Sequence, residues 1–301
     1  MIPIRGCINA VLAIAAIAVS AQTFAFEGIR LTLLGTGSPH QSGAHPGPAT
    51  LIEAGTEVLL IDCGPGTLER LGRAGVALSE LTAVFLTSLD PAHISGCREL
   101  WSARQQTGRP LPPVWGPKGT QALFRDVDLA RGAPGQPTEA YDVADNVIYQ
   151  PESVTVTAFV TDYPPAPQAF GYRIDANQRA VTVSGDTRYS ENLIRYARGA
   201  HVLVHEVAAA SAQSLAGADV RRIVEMHTSP EEAGKVFRAA GPYLAVYSHI
   251  MLFDVSEEDL MRRTRRSYRG AVEIGRDLMI IEVQNEVQLR SSPSEGPRAG
   301  Q

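Results

Sequence analysis

The chain has 301 residues, with 27 Lys+Arg against 32 Asp+Glu and a formal net charge of −5. Apolar residues make up 44% and charged residues 20%, an ordinary globular balance that excludes a disordered, collagen-like or disulfide-dense chain. The acidic balance also excludes a dedicated, strongly basic nucleic-acid binder.

Residues 1–21 read as a secretory signal. Arg5 gives the short positive region, an apolar run extends from Ala10 to Val19, and Val19-Ser20-Ala21 supplies small residues for cleavage. The run is too short to span a bilayer, which takes about 20 helical residues. The expectation is therefore a periplasmic or secreted protein with no membrane contact after cleavage. Export permits a disulfide. Two cysteines in the mature chain, Cys63 and Cys97, are not a disulfide framework, and they read first as free, packed thiols.

From Ile29 the pattern predicts alternating strands and helices. Ile29–Leu34 is strand-like. Ala49–Ala54 and Val58–Ile61 make a hairpin around Gly55, and Leu81–Thr87 is another β-rich run. His93 to about Gln106 reads as a helix, with Ile94, Cys97, Leu100 and Trp101 on one face. Lys118–Ala130 is a second helix, and residues 131–146 read as a surface loop. Val154–Val160 alternates as a strand should, and Phe170–Asp175 pairs with Ala180–Ser184 around Asn177. Glu191–Arg198 is a short helix and Val202–Val207 an apolar strand. Ser229-Pro230-Glu231-Glu232 is a helix start, ending near Gly241-Pro242. Leu244–Ser248 is a strand, and Ser256 caps a basic helix running to about Tyr268. Residues 22–290 form the expected domain, and 291–301 a disordered tail.

Two strand-rich halves, each followed by helices, fit a four-layer αββα sandwich in the α/β (α+β) class. A doubly wound α/β fold gives a similar string. No Gly-rich phosphate loop and no G-x-S-x-G elbow is present. Several strands end in groups able to bind metal or move protons: Asp62, Ser88/Asp90/His93, Asp186, His205-Glu206 and His249. Asp62 reads as structural, tying two loops by hydrogen bonds. The paired arginines Arg262-Arg263 and Arg265-Arg266 read as a solvated helix face.

The stretches Leu33–Pro39, Leu60–Thr67, Ala169–Ile174, Ser184–Arg188, His205-Glu206, His227–Ala233 and Tyr247–Ile250 resemble the metallo-β-lactamase superfamily. The similarity is to its branch of RNase Z and arylsulfatase-like exported hydrolases, and it runs from Ile29 to Val283. It implies the four-layer sandwich and a centre of two metals, usually zinc, that hydrolyses phosphodiesters and related esters.

The family motif His-x-His-x-Asp-His here reads Ser88-Leu89-Asp90-Pro91-Ala92-His93, and Tyr163 aligns with a later family histidine. Four of the seven family ligand positions therefore differ: Ser88, Asp90, Ala92 and Tyr163. His93, Asp186 and His249 match. The first metal position keeps no imidazole, while the second keeps two imidazoles and a carboxylate, a plausible one-metal set. The resemblance implies at most one Zn²⁺, with Fe, Mn or no metal left open, and places Glu206 and His227 as an acid–base pair beside the leaving group.

Two readings follow. One is a pseudoenzyme that keeps the pocket, with little or no family-type hydrolysis. The other is a mononuclear hydrolase of phosphodiester, sulfate or other ester bonds. Either takes a small-molecule or ester-type ligand, expects no nucleic acid, and is compatible with a homodimer.

Overall fold

The structure is a computed structural model that describes residues 26–38, 47–106, 112–130, 140–166 and 168–290. The signal segment, the C-terminal tail and most of the 131–146 loop lie outside the described residues.

Six strands come first: β1 (Phe26–Gly35), β2 (Ala49–Gly55), β3 (Glu57–Ile61), β4 (Ala83–Phe85), β5 (Val114–Gly116) and β6 (Ala140–Asp142). Seven more follow: β7 (Asn146–Tyr149), β8 (Val154–Val160), β9 (Phe170–Ala176), β10 (Arg179–Val183), β11 (Val202–Ala210), β12 (Leu244–Phe253) and β13 (Val272–Ile274). The chain then returns to the first group with β14 (Met279–Val283) and β15 (Val287–Arg290). One sheet runs β15-β14-β1-β2-β3-β4-β5-β6, the other β13-β12-β11-β10-β9-β8-β7.

The helices are α1 (Thr67–Arg73), α2 (Pro91–Ile94), α3 (Cys97–Gln106), α4 (Thr120–Ala130), α5 (Glu191–Ala197), α6 (Ala218–Met226), α7 (Pro230–Ala240) and α8 (Glu257–Thr264). None of the described helices is long and apolar enough to cross a membrane.

Three hydrophobic interfaces account for the layering, because period-two strands bury both faces. Leu59, Ile61, Ala83, Phe85, Val202, Val204 and Val246 point between the sheets. Their neighbours Leu60, Val84 and Leu86 pack outward against Leu71 of α1, Leu100 and Trp101 of α3 and Phe124 of α4. Leu203, Ala245 and Tyr247 pack outward against Leu193 of α5, Val236 and Phe237 of α7 and Leu260 of α8. The order is helix, sheet, sheet, helix, as expected. Each fully buried Leu, Val or Phe contributes roughly 1.5–3 kcal/mol.

Local signals place the helices. Ser229 Oγ accepts from the Glu232 amide, Glu232 accepts from the Ser229 amide, and Pro230 sits in the first turn, so α7 begins where the capping box predicts.

Some expectations need correction. The helix from His93 breaks at Ser95-Gly96 into α2 and α3. Residues 140–142 of the supposed loop form the edge strand β6, and residue 146 begins β7. The basic helix ends at Thr264, and one of its arginines is not fully solvated: Arg263 is part-buried and pairs with Glu231 of α7 at 2.9 Å, while Arg266 beyond the helix stays exposed. Cys63 and Cys97 are not free thiols. They form a disulfide with a Cα–Cα distance of 5.3 Å, within the usual bridging range.

Strand direction positions the site. β3 and β4 are parallel, and so are β10, β11 and β12. Their C-terminal halves therefore meet at one edge of the sandwich: Asp62 and Asp186 follow β3 and β10, His93 lies on α2 after β4, and Glu206 and His249 lie within β11 and β12.

Candidate metal centre

His93 lies on α2, just after β4. Its Nδ1 is 2.8 Å from Asp62 Oδ2, and its Nε2 is 3.0 Å from Asp186 Oδ2. Asp62 is itself fixed: Oδ1 accepts from the Thr87 amide at 2.8 Å, and Oδ2 from the Thr87 hydroxyl at 2.7 Å. Asp62 thus ties two loops, as the sequence suggests, but it also sets the direction of the His93 ring. The sequence reading missed that second role, and its only signal was a carboxylate ending β3.

Asp186 follows the turn Ser184-Gly185. Gly185 has φ 60°, and a Cβ there would lie 2.5 Å from the Phe170 carbonyl oxygen. Only glycine fits this turn, and the turn delivers Asp186 between the two histidines.

His249 reaches the site through a bulge. In the β11–β12 register His205 pairs with Tyr247 and Val207 with Ile250, so Ser248 and His249 together oppose Glu206. His249 takes φ 46°, the left-handed region. Bulges re-aim side chains beside functional sites, and such strain persists only where the surroundings hold it. The His249 Nδ1–H donates to the Gly37 carbonyl at 3.1 Å. Its Nε2 faces Asp186 Oδ1 at 3.4 Å and carries a lone pair when the ring is neutral, the form that its lowered pKa favours.

His93, Asp186 and His249 are all buried, and each offers one ligand atom within 4.8 Å of the others. The ionic balance is uneven. Burial alone would raise the Asp186 carboxyl, but the neighbouring His93, His249 and His227 hold it well below the usual carboxylate range. Burial opposes a charged His93, yet Asp186 and Asp62 push its pKa well above the ordinary histidine value. His249 moves the other way: burial, with His93 and His227 nearby, lowers it despite Asp186.

The donor set fits one metal ion. Asp186 Oδ1 is buried and has no hydrogen bond among the described residues. It faces His249 Nε2, and where that nitrogen carries a lone pair, a proton or a metal ion between the two acceptors would satisfy both. Both rings have Nδ1 engaged by an oxygen, by Asp62 for His93 and by Gly37 for His249. This outer support fixes the tautomer that leaves Nε2 for a metal.

At the positions that the family resemblance assigns to a first metal, the side chains bond to one another. The Tyr163 hydroxyl donates to Asp90 Oδ2 at 2.9 Å, and the Asp90 amide donates to Ser88 Oγ at 3.3 Å. Burial and the carboxylates of Asp186 and Asp90 push the Tyr163 phenol far above its ordinary value, so it stays protonated. Asp162, another carboxylate in reach by sequence, turns out to an ion pair with Arg188 at 2.8 Å.

The two residues expected as an acid–base pair, Glu206 and His227, lie side by side. His227 Nδ1 is 3.1 Å from Glu206 Oε2, and the Thr228 amide donates to Glu206 Oε1 at 2.7 Å. His227 ends α6, where the helix dipole favours a cation. Burial would lower its pKa, but the Glu206 charge and hydrogen bond raise it overall. Burial raises Glu206. The His227 ring lies 6.1 Å from that of His249 and 5.5 Å from that of Tyr163. The five residues expected from the sequence, His93, Asp186, His249, His227 and Glu206, thus come together at one edge.

The Beta-lactamase superfamily domain matches residues 57–250. The chain belongs to the beta-lactamase superfamily. Its relatives within the superfamily include ribonuclease Z of Mycobacterium sp. strain KMS, 33% identical over 278 residues that cover 85% of this chain and 96% of that protein. Ribonuclease Z of Mycolicibacterium gilvum strain PYR-GCK is 30% identical over 275 residues, covering 85% and 96%. Among solved structures, the metallo-beta-lactamase fold protein YhfI of Bacillus subtilis is similar with a TM-score of 0.71 at 21% identity, covering 84% of this chain and 98% of that one. Human tRNase Z, short form, is similar with a TM-score of 0.67 at 19% identity, covering 84% and 99%. The fold expectation and the family resemblance are both borne out.

Proposed function

We propose that this protein is an exported one-metal hydrolase of ester-type bonds, and that it has lost the two-metal phosphodiester chemistry of its superfamily. The observation that carries this reading is the buried confrontation of the His249 Nε2 lone pair with Asp186 Oδ1, completed by His93 Nε2. A divalent ion held by His93, Asp186 and His249, with zinc the first choice for two imidazoles and a carboxylate, supplies Lewis-acid polarisation of a substrate oxygen.

This chain's own residues do the rest. Asp62 and Gly37 hold the ligand rings. Glu206 keeps His227 protonated through Nδ1, so Nε2 is the nitrogen left to give a proton to a departing oxygen. Tyr163 and Asp90 close the first metal position with a hydrogen bond. Ala92 stands where the family carries a metal-binding carboxylate, so the two-ion clamp on attacking and leaving oxygens is not rebuilt.

The ribonuclease activity named for the relatives is not carried over to this chain. Its net charge is −5 and four ligand positions are substituted, whereas gripping a polyanion takes several phosphate contacts. The preferred ligand is a small ester. Periplasmic or secreted localisation rests on residues 1–21 and is supported by the Cys63–Cys97 disulfide.

The test is turnover by the mature protein loaded in turn with zinc, iron and manganese, on aryl phosphodiester, aryl sulfate and lactone substrates. The reading predicts metal-dependent turnover of at least one class, abolished by chelator. Failure of every metal to give turnover on all three would leave the pseudoenzyme reading, a pocket that binds without hydrolysis.

A further inference from the structure

The disulfide lies one residue from the group that aims a metal ligand. Cys63 directly follows Asp62, and Cys97 opens α3 four residues after His93. The bridge is buried among Leu71, Leu100 and Trp101. Two backbone hydrogen bonds join the same two turns: the Cys63 amide donates to the His93 carbonyl at 2.8 Å, and the Gly96 amide to the Cys63 carbonyl at 2.9 Å. The approach is so close that a Cβ on Gly96 would lie 2.2 Å from the Gly64 carbonyl oxygen. Asp62 meanwhile holds a left-handed φ of 61°, which a non-glycine residue keeps only when its surroundings enforce it.

From this geometry we infer that the Cys63–Cys97 bridge is a positioning element for the metal centre, and that retention of the metal depends on it. The inference rests on the one-metal reading above. The covalent link fixes the distance between the turn carrying Asp62 and the turn carrying His93. With that distance fixed, Asp62 Oδ2 stays at 2.8 Å from His93 Nδ1, and the ring presents Nε2 to Asp186. Without the bridge, the strained Asp62 backbone relaxes, the carboxylate drifts from His93, and the ring loses its fixed direction. Support of this kind behind a ligating histidine is typically worth about 10–100-fold in metal affinity. A bridge serving only as a staple would add global stability and leave affinity alone.

The experiment compares three forms of the mature chain: wild type, Cys63→Ala/Cys97→Ala, and Val236→Ala. The last is a core truncation in the helix layer over the other sheet, so it lowers stability away from both turns. Each form is titrated with zinc against a competing chelator. Each is also followed, metal-free, by the nitrogen-bound proton signals of its imidazoles in NMR. The inference predicts that Val236→Ala melts lower but binds zinc within about twofold of wild type. The double alanine variant binds at least about tenfold more weakly, and its His93 Nδ1 proton signal is lost to exchange. Zinc affinity within about twofold in the double variant, with the His93 signal intact, overturns it. If wild type itself takes up no zinc, the one-metal reading fails, and the His93 signal alone decides whether the bridge positions the ring.

Discussion

His93 Nε2 and Asp186 Oδ2 meet at 3.0 Å across the seam between the two sheets, one delivered by the turn after β4 and the other by the turn after β10. The contact joins the halves of the sandwich at the edge where the parallel strands end. Asp186→Asn keeps the shape but removes the charge and one anionic ligand. Bound zinc is expected to fall from about one per chain to near zero after dialysis, while the circular dichroism spectrum stays native. Full zinc retention in Asp186→Asn would show that the ion sits elsewhere.

Glu206 raises the pKa of His227 against the effect of burial. Glu206→Gln therefore lowers it, so His227 gives up its proton at lower pH. If His227 is the general acid, activity needs it protonated. The alkaline limb of kcat against pH then moves to lower pH in Glu206→Gln, and kcat at the optimum falls by about 10²-fold or more with little change in KM. A lower kcat with an unmoved alkaline limb would mean that Glu206 supports only the Thr228 turn.

The Tyr163 hydroxyl donates to Asp90 at positions that the resemblance assigns to a first family metal. Tyr163→Phe leaves a part-buried carboxylate without that donor, and a loss of about 1–3 kcal/mol is expected in urea unfolding. The combined variant Ser88→His, Asp90→His, Ala92→Asp, Tyr163→His restores the family ligand types. Elemental analysis is expected to rise toward about two zinc ions per chain. A count unchanged from wild type would show that the turn itself, and not only its side chains, has departed from the family.

His205 gives a pH signature independent of the metal. Its Nδ1–H donates to the Glu206 carbonyl, its Nε2 is buried without a partner among the described residues, and burial pushes its pKa down from 6.5 to about 4. Between pH 6.5 and about 4 the unfolded chain holds a proton on this ring that the folded chain does not. Stability from this group is complete above pH 6.5 and falls as pH drops toward 4, by about 3 kcal/mol in all. Urea unfolding at pH 7 and pH 5 is expected to show a smaller difference for His205→Asn than for wild type. Equal differences would remove His205 from the acid sensitivity.

How far the sequence reveals this protein depends on the range of the interactions. β8 and the β9–β10 hairpin follow from alternation around Asn177, and α7 from the Ser229 capping box, because these signals are local. His93, Asp186 and His249 are found because they match the ligand positions of the family that the sequence resembles, although His249 lies inside β12 and not at its end. Strand β6 escapes notice because three largely exposed residues carry no period, and only pairing with β5 makes them a strand. The bulge that turns His249 inward depends on register with β11. The Cys63–Cys97 bridge and the Asp90–Tyr163 bond join residues 34 and 73 positions apart, and no spacing rule states such pairings. At the break in the helix the Gly96 amide bonds to the Cys63 carbonyl, another long-range contact.

The most direct test of the one-metal centre is elemental analysis of the mature wild-type protein, purified without chelator or histidine tag and equilibrated with zinc, beside His93→Ala with its fold checked by circular dichroism. The account predicts about one zinc per chain in wild type and almost none in the folded variant. No zinc in wild type, or equal zinc in both, would contradict it.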